Sequence, residues 1–117
     1  TLMMALLHTP LASATEASGM IQEVRVCGSS ATSFPGWIRY LAFKVEGKWF
    51  GTYSDHYGSG TDYDNNIHTS VVLMAFSAKK IVKVASNGIW VSGMVKCGLP
   101  AGNMLHRAAG EFISVVN

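Results

Sequence analysis

Hydrophobic and polar positions alternate from Met20 to Cys27, with Met20, Gln22, Val24 and Val26 on one side and Ile21, Glu23, Arg25 and Cys27 on the other. A period of two predicts a half-buried strand. Residues 15–19, Thr-Glu-Ala-Ser-Gly, are small and polar and read as a flexible lead-in. Gly28 to Gly36 is rich in Ser, Thr, Pro and Gly and reads as a loop. Trp37 to Glu46 is a second strand, with Leu41, Phe43 and Val45 on the same face as Trp37 and Arg39. Glu46-Gly47 is a tight-turn signal, because Gly supplies a positive φ. Lys48 to Ser54 then gives a third strand, in a hairpin with the second. Asp55 to Asp64 carries Gly and Asp punctuation and reads as a loop.

The period changes at Ile67. Ile67, Val71, Met74, Ala75 and Ala78 fall on one stripe at helical spacing, and Asp64, Asn65 and Asn66 each offer a capping oxygen just before it. Val72, Leu73 and Phe76 lie outside the stripe, so the helix is apolar around most of its circumference. That pattern calls for cover on more than one side, from the chain's own sheet and from another subunit. Lys80 to Ala85 is a fourth strand, Ser86-Asn87-Gly88 a hairpin turn, and Ile89 to Lys96 a fifth strand. Cys97 to Gly110 is irregular, and Glu111 to Val116 closes the chain as an extra strand segment. The reading is mainly β with one helix. The order β-β-β-α-β-β fits the five-stranded Greek-key barrel called the OB-fold.

Composition narrows the class. Of 117 residues, 49% are apolar and 14% charged, which excludes disorder and suits one domain with one core. The net charge of +2 comes from scattered Lys and Arg, too little to imply a nucleic-acid partner. Leu2 to Leu7 is apolar and Ala12-Ser13-Ala14 has the small-x-small form that signal peptidase cuts after. Residues 1–14 are therefore read as the remnant of a signal peptide and 15–117 as the domain, in a secreted or periplasmic protein. The other reading of residues 2–12 is an ordinary N-terminal helix, which Pro10 opposes. No stretch approaches the ~20 apolar residues of a membrane span. In an oxidising compartment Cys27 and Cys97 are expected to pair; two buried free thiols are the alternative.

Candidate chemistry is sparse. His56, His68 and His106 accompany many serines, but there is no Gly-x-Ser-x-Gly elbow, and no acid, base and nucleophile constellation emerges. The expectation is a protein that is not an enzyme and holds no cofactor. Asp62-Tyr-Asp64-Asn-Asn66 resembles the start of a calcium loop, but Ile67 and Leu73 stand where an EF-hand needs Gly and Glu, so no metal site is assigned. Aromatic residues are more suggestive. Trp37, Tyr40, Trp49, Tyr53, Tyr57 and Tyr63 cluster in strands two and three and the loop beyond. Aromatic faces stack on sugar rings, and Tyr hydroxyls add polar contacts. With Asp55, His56, Asp62 and Asn65 nearby, residues Tyr53, Asp55, His56, Tyr57, Asp62, Tyr63 and Asn65 form the candidate ligand site. The bland reading is that the tryptophans fill the core and the tyrosines rim it.

The run from Val71 to Val84, helix then small polar link then basic strand, resembles the B subunits of AB-type bacterial toxins, in the subtilase-cytotoxin and pertussis-like branch, and small secreted proteins similar to them. The resemblance covers roughly residues 19–117. It implies export, an internal disulfide, a ring pentamer and a cell-surface glycan as receptor. It also implies a catalytic A subunit as partner and contacts between copies through the helix, at Val72, Leu73 and Phe76. A second reading, of a different class, is a secreted or periplasmic inhibitor or accessory protein that binds another protein.

Overall fold

A computed structural model describes residues 15–30, 37–58, 61–64, 66–105 and 109–116. The elements in chain order are β1 (Thr15–Met20), β2 (Glu23–Ser30), β3 (Trp37–Val45), β4 (Lys48–Gly58), β5 (Thr61–Asp64), α1 (Asn66–Ala78), β6 (Ile81–Ser86), α2 (Ser92–Lys96), β7 (Asn103–Met104) and β8 (Phe112–Val116). The chain is thus mainly β, as expected, but with two described helices instead of one.

The strands form two sheets. One has the order β1-β6-β8, antiparallel throughout. The other runs β2-β3-β4-β5, with β7 parallel to the first part of β4. Among the described residues neither sheet closes into a barrel, and five strands precede α1, so the order β-β-β-α-β-β is corrected.

The differences have local causes. Residues 15–19 are not a lead-in: Ala17 is buried, and the segment pairs with β6 from Thr15↔Ser86 to Met20↔Ile81. The single strand read from Met20 to Cys27 breaks after Met20, and buried Ile21 sits at the corner between the two sheets. Within the loop read from Asp55 to Asp64, residues 55–58 end β4 and residues 61–64 form β5, since ladder pairing overrides the weak β-propensity of Asp and Gly. Ser86-Asn87-Gly88 is no hairpin: Gly88 and Met104 exchange backbone hydrogen bonds at 3.1 Å, and Ser86 Oγ donates to the Met104 carbonyl. Ile89 to Lys96 is no strand, because Ser92–Lys96 coil into α2, and the irregular stretch after Cys97 contains β7.

Turn chemistry explains three junctions, of which the sequence reading had the first two. Glu46 (φ 52°) and Gly47 (φ 74°) are both left-handed, the pattern of a two-residue turn that matches strand twist. α1 ends on Lys79 at φ 54°, with the Lys80 N–H returning to the Ala75 carbonyl at 2.9 Å. α2 ends the same way on Gly98, and the Leu99 N–H reaches the Met94 carbonyl at 3.0 Å. These contacts occupy last-turn carbonyls that a helix cannot satisfy internally.

Two cores lie on opposite sides of β3. Leu41, Phe43 and Val45 join Phe50, α1 (Val72, Ala75), β6 (Val82, Val84), Ala17, Ile21 and Leu105. Tyr40 and Ala42 join Cys27, Met94, Leu99 and Met104 beneath α2. Successive residues of β3 feed different cores, as the two-residue period of a strand dictates. The Cys27–Cys97 disulfide, 70 residues apart in sequence, ties α2 to β2.

Candidate functional site

The residues singled out by sequence fall mostly on the β4–β5 ribbon, the outer two strands of the larger sheet. Along β4 and β5, Asp55 stands opposite Asp64, His56 opposite Tyr63, and Tyr57 opposite Asp62. Five of the seven candidate positions (Asp55, His56, Tyr57, Asp62 and Tyr63) therefore occupy consecutive rungs of a ladder rather than a loop. The side chains of His56, Tyr57, Asp62 and Tyr63, and Asn65 altogether, lie outside the described residues.

A register shift sets the base of this ribbon. Tyr40 pairs with Tyr53 but Arg39 pairs with Asp55, leaving Ser54 as an extra residue on β4. A bulge of this kind bends the strand and re-aims the residues beyond it. Below the bulge, the Tyr53 ring rests on Tyr40 at 5.4 Å between centroids, tilted by 51°. Tyr53 is half-buried and packs against the α2-side core, so it anchors the ribbon rather than joining its rungs. Above the bulge, Arg39 Nη1 donates to Asp55 Oδ2 at 3.3 Å across the two strands.

α1 braces the strand at the same point. Thr52 Oγ1 and His68 Nδ1 lie 3.1 Å apart, and Thr69 Oγ1 donates to Ser54 Oγ at 3.3 Å. Burial holds the His68 imidazole below its ordinary pKa, and the Glu111 carboxylate works against that shift. Val72 is buried in the chain's own core, so it is removed from the contact face expected on the helix, while Leu73 and Phe76 are exposed.

Sequence reading missed a second arrangement, at the other end of β4. Trp49 lies half-buried on the α2 side of the sheet, with the Lys44 ammonium 5.5 Å and the Arg25 guanidinium 5.8 Å from its ring centre. Glu23 bridges these cations, at 2.9 Å from Arg25 and 3.8 Å from Lys44. Arg25 also donates to the Cys97 carbonyl at 3.1 Å, which locks the C-terminal end of α2 to the sheet. The cross-strand pairing of Lys44 with Trp49 depends on register and leaves no motif in the sequence. Beside Trp49 opens a recess of about 400 Å³ lined by Thr15, Lys48, Gly102 and Asn103.

Among the described residues, no three His, Cys, Asp or Glu groups gather as a metal site, and no helix is long and apolar enough to cross a membrane. Fold and site together define a small, disulfide-linked β-rich domain in which a helix braces a ribbon of acidic, aromatic and imidazole-bearing positions. No family model, curated protein or solved structure matches the chain.

Proposed function

We propose that this chain is an exported, non-enzymatic binding protein that recognises a cell-surface glycan through the β4–β5 ribbon and acts as a homo-oligomer, in the manner of toxin B subunits. The observation that carries the reading is the ladder itself. It gathers Asp55, His56, Tyr57, Asp62 and Tyr63 on three consecutive rungs of one hairpin. Carboxylates and imidazole offer hydrogen bonds to sugar hydroxyls, and tyrosine rings offer stacking faces. The bulge at Ser54 and the α1 brace at Thr52 give that hairpin a fixed root. The disulfide suits an oxidising compartment. The reading takes the two sheets as an open form of the OB-like architecture. Several weak sites on one oligomer would add up by avidity, and a catalytic A subunit would be the cargo.

A glycan array with the purified protein tests this. Binding to a defined sugar class, lost in Tyr57→Ala and Tyr63→Ala with the fold intact, is the expected result. Silence across the array under multivalent display would overturn it. The second reading, an inhibitor or accessory protein, is favoured by one observation: α1 carries no Asp, Glu, Lys or Arg, and it exposes Leu73, Met74 and Phe76. A specific protein captured by the wild type but not by Phe76→Asp, with no glycan bound, would select that reading.

A further inference from the structure

The two outer strands of the β1-β6-β8 sheet are treated very differently. An edge strand presents a row of unpaired N–H and C=O groups, and natural proteins blunt such edges with charges, proline, bulges or cover. β1 is blunted by the β3–β4 turn. Glu46 Oε1 accepts from the Ser18 N–H at 2.7 Å, and Lys48 Nζ donates to the Glu16 carbonyl at 2.9 Å. In the other sheet, edge strand β2 carries Glu23 and Arg25, and edge strand β5 carries Asp62 and Asp64. β8 lacks charge, proline and bulge, and α1 packs against it on the core side, where Ile113 meets the cluster of Val72 and Ala75. Its sequence is Phe-Ile-Ser-Val-Val, with no charge, proline or glycine, and among the described strands it pairs only with β6.

We infer that the outer edge of β8, which no other described strand occupies, pairs with the β8 strand of a second copy, antiparallel about a two-fold axis at Ser114. The inference rests on the reading of the chain as self-associating, and it names a two-fold strand contact in place of the ring through the helix that the toxin resemblance implies. The strand is self-complementary in this register. Phe112 stands opposite the partner subunit's Val116, Ile113 opposite the partner subunit's Val115, and Ser114 opposite the partner subunit's Ser114. An aromatic ring against a β-branched residue, and hydroxyl against hydroxyl, are favourable cross-strand pairs. No like charges meet, because β8 bears none.

The pairing also completes a surface that the single chain leaves open. Met20, Ile81 and Val116 are register partners across the three strands, and Met20 is 49% and Ile81 40% exposed. In the pair this apolar row continues onto the partner subunit's Phe112, a residue 47% exposed in the lone chain. Two three-stranded sheets become one of six strands, and each outer edge is then a β1 already occupied by Glu46 and Lys48. The contact is isologous and closes at two copies. The paired segment is only five residues long, so the dimer is expected to be reversible on dilution.

Ser114→Cys is the decisive variant, since both native cysteines are consumed in the disulfide. Directly opposed residues in an antiparallel pair have Cα atoms about 4.5–5.5 Å apart, within reach of a disulfide. Mild oxidation is expected to give a covalent dimer on a non-reducing gel. Ser114→Lys, which sets two ammonium groups face to face, is expected to sediment as a folded monomer where the wild type sediments as a dimer. Absence of the cross-link in Ser114→Cys, or a wild-type oligomer that Ser114→Lys leaves intact, would overturn the pairing while self-association stood. A wild type that stays monomeric over a full concentration series would overturn both, and neither result depends on whether a glycan binds.

Discussion

Gly93 shows how one missing side chain positions a layer. It lies in α2 directly over Tyr40, where a Cβ would overlap the aromatic ring. Tyr40 in turn supports Tyr53 at the root of the candidate ribbon. The overlap is with the body of a buried ring, so relief requires moving the helix or the strand. Gly93→Ala is therefore expected to destabilise the fold by about 1–3 kcal/mol, measured by denaturant unfolding. Ala is the better helix former, so propensity alone predicts the opposite sign. Gly88 is constrained more tightly still, since its Cβ would run into the Met104 backbone. In the sequence it comes after Ser86-Asn87 and reads as a turn glycine. Its actual reason, close approach to the later strand β7, has no local signature.

Elements were legible where one period ran long enough to stand alone. The stripe from Ile67 to Ala78 predicted α1 within a residue, and the Glu46-Gly47 signal placed the β3–β4 hairpin. α2 was not legible: it is five residues long, begins on Val91 with no side-chain cap, and lies in a run whose apolar residues suit a strand. What makes it helical is its setting, between Met94 packed in the core below and Cys97 tied to β2. Reduction of the disulfide should act first on this element. Closing a loop of 70 residues contributes on the order of 4 kcal/mol in the chain-entropy model. A Cys27→Ala/Cys97→Ala variant is expected to lose about that much stability, with earlier hydrogen exchange at the α2 amides than at those of α1. Equal protection of both helices would refute the tether. The candidate site was legible in its residue types but not in its form, because Asp- and Gly-rich chain reads as loop until a partner strand arrives.

At the scale of the whole molecule, pH enters through the joint between α1 and β4. His68 has its pKa held below 6.5 by burial, with Glu111 opposing. The fold therefore accommodates the neutral imidazole better than the charged one. The stability this contributes is complete above pH 6.5 and is lost as pH falls from there through the lowered pKa. The thermal midpoint is expected to drop between pH 7 and pH 5. His68→Gln, which keeps a hydrogen-bonding group for Thr52 without titrating, should show a smaller drop, and an equal one would exclude His68 as the cause. The general class of the fold, β-rich with a disulfide, was legible because composition and alternation act over the whole chain. Its division into two sheets was not, because it turns on a corner at Ile21 and on pairings between residues 15–20 and 81–86 that no short window contains.

β3 is packed on both of its surfaces, with Tyr40, Leu41, Ala42 and Phe43 all buried in succession. It works as a party wall between two chambers. A defect introduced in either room is felt through the shared masonry, so paired substitutions on its opposite sides should interact instead of summing.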